Sequence, residues 1–227
     1  MLLKFGWRGI DMPVLADAVV VGGCLLAFDS KVDLQDQQDI QDCLLYAELT
    51  ANDRYPEHSS QKVWFDCYKR QLLEVGFTLE AMVHTEPFQV TSVSQLLRIG
   101  HQVIVRLGSK RMGELFEYTY RALELDKFAW EFFHGNLRQG GLGILKCAPC
   151  ERLASGKTVV CLFGMRVSTT VTEEDFLFWK EFDKRVLIVP DGGVYAFKRR
   201  IFEDHRARVH EKIETYSDRL LVHKLKL

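Results

Sequence analysis

Hydrophobic residues recur every three or four positions in four segments of the chain, which predicts four amphipathic helices. The segments cover approximately 34–51, 61–75, 93–107 and 110–123. Each segment follows a residue that commonly caps a helix N-terminus: Asp33, Ser59 or Ser60, Ser92 and Ser109. Only Gly108 and Ser109 separate the last two segments, so we expect these helices to form an αα-hairpin.

A second pattern, with shorter apolar runs, predicts strands. Residues 77–84 alternate between apolar and polar, as a half-buried strand does. The stretch from Gly140 to Phe182 has the densest apolar content and indicates a three-stranded β-meander with a turn at 154–157. We expect Asp191-Gly192-Gly193 to form the turn that ends this region. A long helix over Val194 to Tyr216 and a final strand within 220–227 would complete the chain.

Helices come mostly before strands in this order, which predicts an α+β fold: N-terminal helices packed on a mostly antiparallel C-terminal sheet. Residues 12–28 fit either a strand or a short helix, because a valine triplet favours the first and Ala16-Asp17-Ala18 the second. At 227 residues the chain is long enough for one substantial core, so we interpret 1–227 as one domain.

Composition limits the classes of partner. The 30 basic and 31 acidic residues nearly cancel, which disfavours nucleic acid as a partner. Lys4, Arg8 and an apolar run ending at Cys24 resemble a lipoprotein signal, but Asp11 and Asp17 interrupt that run. We expect no transmembrane segment and a cytoplasmic location, with secretion that needs no cleavable signal as the alternative.

Several stretches together resemble a family of small bacterial α+β proteins. They are DIQDCLLYAELTAND, WFDCYKRQLLEVGF, DFLFW and a basic final helix that leads into LLVHKLKL. These are packing motifs, so the resemblance implies an architecture over most of residues 33–227 and no particular chemistry. No functional residue is carried over from it.

The Cys147-Ala-Pro-Cys150 motif is the sharpest chemical candidate. A redox CxxC motif needs its first cysteine at a helix N-terminus, whereas the surrounding residues here predict a strand. A zinc site would need Cys161 and His134 as further ligands, and no second paired motif completes such a set. We therefore expect structural cysteines and no cofactor, with a thiol-dependent enzyme or redox protein as the alternative.

Two other motifs have simpler interpretations. Ser155-Gly156-Lys157-Thr158 ends like a phosphate-binding loop but precedes a strand instead of a helix, so we expect a hairpin turn. His205 and His210 are five residues apart and do not share a helix face. The many acidic and basic residues around them predict a solvated helix with ion pairs.

An excess of aromatic residues suggests an interaction surface. Phe176 and Phe178 would lie on one side of a strand and Trp179 on the other. Helices are expected to cover both sides, and the alternative is that one aromatic face is exposed to a partner or to lipid. We expect a non-enzymatic protein that binds a protein partner or self-associates. Its predicted surface comprises Phe176, Phe178, Trp179, Tyr195, Arg199 and Tyr216. A secreted toxin that contacts membranes peripherally through the aromatic face is a further alternative.

Overall fold

The computed structural model describes residues 17–55, 60–129, 144–167, 185–216 and 222–225. The N-terminal half contains β1 (Asp17–Val21), β2 (Cys24–Phe28), α1 (Leu34–Arg54), α2 (Gln61–Glu74), β3 (Phe77–Met82), β4 (Phe88–Val90), α3 (Val93–Leu107) and α4 (Lys110–Leu125). The C-terminal half contains β5 (Ile144–Arg152), β6 (Thr158–Val167), β7 (Val186–Phe197), α5 (Arg199–Glu203), α6 (Arg206–Thr215) and β8 (Val222–Lys224).

The described strands form one sheet in the order β3-β7-β6-β5-β2-β1-β8, and β4 also pairs with β7. Every pair is antiparallel except β2 with β5, which is parallel. The sheet therefore joins the two ends of the chain, since β1 pairs with both β2 and β8. This arrangement confirms the predicted α+β class, and β8 confirms the predicted final strand.

Helices cover both faces of the described sheet. Side chains of α1, α2, α5 and α6 share one core with alternate residues of the strands, such as Leu26 and Leu162. Side chains of α3 and α4 share a second core with the intervening strand residues, such as Leu25 and Phe163. Because successive strand residues point to opposite faces, a sheet buried on both sides gives continuous apolar runs instead of alternation.

The four predicted amphipathic helices are confirmed, and so are three of their four predicted N-caps. The side chains of Asp33, Ser92 and Ser109 each accept a hydrogen bond from a backbone N–H in the first helical turn. Ser60 precedes α2 without such a bond. The αα-hairpin prediction is also confirmed, because α3 ends at Leu107 and α4 begins at Lys110.

The ambiguous N-terminal region is a β-hairpin from residue 17 onwards. Strands β1 and β2 pair in register from Asp17 with Phe28 to Val21 with Cys24. Gly22 has a positive φ of 52° in the connecting turn, a conformation that glycine adopts at little cost. Cys24 is buried within β2.

Strand β3 does not alternate as expected. Phe77 is buried but Leu79 is exposed, and the pairing with β7 shifts register after Leu79, between Leu79 and Ala81. Such a bulge turns the side chains that follow it relative to the sheet.

The predicted turn at Asp191-Gly192-Gly193 and the predicted helix start at Val194 are wrong. β7 continues through these residues to Phe197, and the helical part is divided into α5 and α6. The glycines allow close approach of neighbouring backbones: a Cβ at Gly192 would overlap the carbonyl oxygen of Leu162, and one at Gly193 would overlap that of Ala81.

We expect Gly192→Ala to lower the free energy of unfolding by about 3 kcal/mol, measured by urea denaturation. Its φ is 129° and the added Cβ has no room, so backbone strain and overlap act together. Gly156→Ala is the matched control, since φ is +80° there but no atom lies within 4 Å of the added Cβ. The control should cost about 1 kcal/mol. Equal losses in the two variants would contradict the close approach at Gly192.

Candidate functional site at one end of the sheet

Cys147 and Cys150 lie on opposite faces of β5. Cys147 belongs to the core formed with α3 and α4, whereas Cys150 belongs to the core formed with α1 and α2. Each thiol donates to a backbone carbonyl oxygen, Cys147 to Phe163 at 3.5 Å and Cys150 to Ala148 at 3.3 Å. The backbone of the strand separates the two sulfur atoms, so this pair is not arranged as a redox or metal-binding CxxC.

Burial also makes these thiols poor nucleophiles. It raises the pKa of Cys147 and Cys150 well above the usual range, and that of Cys161 to about 12. His134 lies outside the described residues. Among the residues that are described, no three His, Cys, Asp or Glu side chains are grouped so that they could hold a metal ion.

Three of the six residues of the predicted interaction surface lie in the part of the chain that the structure describes. Phe176, Phe178 and Trp179 lie outside the described residues. Tyr195 is 3% exposed, so the prediction that it lies on the interaction surface is wrong. The helix expected at this position is strand β7, whose residue 195 lies in the core. Arg199 and Tyr216 remain accessible in part, and both hydrogen bond to aspartates of the α1 region.

Those aspartates form a row along α1. Asp33, Asp36, Asp39 and Asp42 are spaced three residues apart, so each lies close to the next along α1 and the four wind partly around the helix. Asp39 is fully buried, and Asp36 and Asp42 are nearly so. We call these four residues the carboxylate row.

The C-terminal helices supply most of the basic side chains that contact the carboxylate row. Arg206 binds both carboxylate oxygens of Asp39, at 2.8 and 3.0 Å, in a bidentate pair. His210 Nε2 lies 3.0 Å from Asp42 Oδ2. Arg199 contacts Asp33 and Asp36. The C-terminal helices therefore have the predicted ion pairs, although most partners lie on α1 and not within the same helix.

The two ends of the row differ electrostatically. Although burial opposes it, hydrogen bonds from the Asp36 backbone and from Arg199 lower the pKa of Asp33. Burial raises the pKa of Asp42, and the bonds from Gln38 and His210 offset only part of that effect. Asp33, at the N-terminal end of the row, therefore stays ionised to lower pH than Asp42, at the other end.

A pocket of about 520 Å³ opens beside Asp33 and Asp36, at the N-terminal end of the carboxylate row. Three segments line it: the start of α1 with Asp33 and Asp36, the β5–β6 hairpin with Arg152 and residues 155–158, and the β7–α5 junction at 197–199. The predicted hairpin turn is confirmed, since the Leu153 N–H donates to the Lys157 carbonyl and Gly156 has a φ of 80°.

Ion pairs hold most charged groups of the pocket. Arg152 lies 2.8 Å from Asp33, and the Thr158 hydroxyl donates to Asp36 at 2.6 Å. Lys157 pairs with Glu80 at 2.8 Å, outside the lining. Lys198, by contrast, forms no ion pair with any residue that the structure describes. The pocket therefore combines fixed guanidinium groups with one unpaired ammonium group.

A second polar centre lies within the core at the other end of α1. Lys146 is 4% exposed, and its Nζ lies 3.0 Å from Glu48 Oε2 and 4.6 and 4.8 Å from the ring centres of Trp64 and Tyr68. Glu48 also accepts from the Gly23 N–H at 3.0 Å. Because rings and a carboxylate surround the ammonium group, its role is to join α1, α2 and β5.

The sequence patterns did not predict the carboxylate row or the pocket. The spacing of three residues between Asp33, Asp36, Asp39 and Asp42 is readable in the sequence, but it does not show what binds the carboxylates. Its cationic partners lie more than 100 residues away along the chain, and no local spacing connects them.

Comparison with known proteins identified no relative of this chain. No protein-family model matches the chain, and no curated protein or solved structure matches it significantly. The resemblance to small bacterial α+β proteins stays a prediction. Within the part of the chain that the structure describes, no helix has the length and apolar character needed to cross a membrane.

Thiol titration with a chromogenic disulfide reagent tests the interpretation of the cysteines. All six cysteines are buried and free, so we expect negligible reaction of the native protein at pH 8 and six thiols after denaturation. A thiol that reacts rapidly at neutral pH, and whose reaction is lost in Cys147→Ser or Cys150→Ser, would support the alternative hypothesis of a thiol-dependent enzyme.

Proposed function

We propose that the protein acts by binding an anionic ligand in the pocket beside α1, without bond chemistry. The observation that carries this proposal is Lys198, a residue of the pocket lining that forms no close ion pair among the described residues and has only a weaker attraction to Glu80. Four basic and two acidic side chains line the pocket, which leaves its lining with a net charge of +2.

The fixed arginines suit such a ligand. Arg152 and Arg199 are held by Asp33 and Asp36, so their remaining N–H groups face a bound anion without first losing much side-chain freedom. Ser155 in the hairpin turn adds a hydroxyl to the lining. These are the groups that commonly bind phosphate or carboxylate oxygens.

The size of the pocket indicates a small ligand or one group of a larger ligand. Its volume of about 520 Å³ falls within the range of small-molecule sites. Its mixed lining of cations, hydroxyls and the ring of Phe197 favours a compact anion over an extended apolar molecule. Self-association and a protein partner remain compatible with this site, because an acidic side chain presents the same chemistry.

Calorimetric titration with inorganic pyrophosphate at low salt is the test. We expect binding that weakens with added salt, and a Kd about tenfold higher in Lys198→Gln, because a hydrogen bond to a charged group contributes about 1.5 to 3 kcal/mol. The urea stability of this variant should be nearly unchanged, since the described hydrogen bonds of Lys198 are made by its backbone and its side chain has only a weak attraction to the exposed Glu80.

Arg98→Gln is the matched control, because Arg98 is an exposed cation of α3 without an ion pair among the described residues. Its Kd should equal that of the parent protein. Absence of binding at millimolar pyrophosphate, or equal Kd values for Lys198→Gln and the control, would contradict the proposal.

A further inference from the structure

We infer that the end of the molecule carrying this pocket docks on an anionic lipid surface, with the pocket accepting a lipid headgroup. This inference rests on the proposed anion site and adds the chemistry of what bears the anion. It differs from the aromatic face suggested by the sequence, because it uses other residues on another part of the molecule.

Several chain segments converge at this end. The turn before α1 binds the end of β5, since the Asp29 N–H donates to the Cys150 carbonyl at 2.9 Å. Ser109, at the start of α4, hydrogen bonds to Glu151 of the same strand. The β5–β6 hairpin and the β7–α5 junction complete the end around the pocket. A single contact surface could therefore include residues from all of these segments.

Three exposed apolar side chains stand next to pocket segments. Leu34, which follows Asp33, is 77% exposed, Leu153, which follows Arg152, is 38% exposed, and Ile201, in α5, is 40% exposed. A small free anion makes no use of such side chains. An amphiphile or a lipid surface does, because its apolar part lies directly behind its charged headgroup.

Unpaired cations accompany these apolar side chains. Lys31, Lys198 and Arg200 form no ion pair with any described residue, and each is within three residues of Leu34 or Ile201 in the chain. Cations close to an anionic leaflet each add to its attraction, and apolar side chains beside them enter the headgroup region. This complementarity of charge and polarity favours an anionic lipid surface over a neutral one.

The helices of this end also explain why attachment would be peripheral. Leu34 begins a helix whose other side packs against α2, α5 and the sheet, so its exposed first turn is the part of α1 beside the pocket. The expected mode is therefore shallow contact by side chains of the loops and helix starts.

Vesicle flotation tests the inference with the full-length protein. We expect it to float with phosphatidylcholine vesicles containing 30% phosphatidylglycerol, and not with pure phosphatidylcholine. The combined variant Lys31→Glu, Lys198→Glu and Arg200→Glu should lose at least tenfold in partitioning, whereas Arg98→Glu should lose little. Failure to float with the anionic vesicles, or equal flotation with both compositions, would overturn the inference.

The apolar side chains provide a second arm. Leu34→Ser with Ile201→Ser should reduce partitioning severalfold and leave pyrophosphate binding unchanged, because neither residue lines the pocket. Leu125→Ser is the control, since Leu125 is 85% exposed at the far end of α4 from Ser109. Pyrophosphate binding without flotation would overturn the lipid inference and leave the anion pocket intact. Loss of both would overturn the proposed function as well.

Discussion

The carboxylate row of α1 is the constraint on which this end of the structure depends. Asp39 has no exposure to solvent, and an ionised carboxylate in such a place is tolerated only with a partner that binds both oxygens. Arg206 supplies that partner and thereby fixes α6 against α1. Phe202 and Val209 are then buried in the same core, so apolar packing and the ion pair reinforce each other.

The opposite end of α1 is fixed by a different interaction of the same kind. Glu48 joins the turn at Gly23 to Lys146 of β5, and the rings of Trp64 and Tyr68 cover the ammonium group. Helix α1 is thus attached to the sheet through Glu48, and the C-terminal helices contact it along its length, from Asp33 to Asp53. The pocket depends on this arrangement, because its two carboxylates can orient Arg152 and Arg199 only if α1 is held in place.

Local physics made the helices predictable, whereas the site depends on distant contacts. Asp33, Ser92 and Ser109 cap helices where apolar spacing of three and four residues begins, and each cap acts within one turn. The predicted turn at Gly192 and Gly193 was wrong because a glycine pair suits both a turn and the close packing of backbones. Only contacts with the neighbouring strands determine which of the two forms. The pocket joins residues 33, 152 and 198, whose proximity follows from the sheet order.

A double-mutant cycle on Asp39 and Arg206 tests the central role of the row most directly. Unfolding free energies of the parent protein, Asp39→Asn, Arg206→Gln and the double variant are measured by urea denaturation at pH 7. We predict a coupling of at least about 1.5 kcal/mol, because the pair is bidentate and Arg206→Gln leaves the fully buried Asp39 carboxylate with only Gln35 and a more distant Arg199 as partners. Additive losses, with a coupling near zero, would contradict the claim that this pair holds the C-terminal helices on α1.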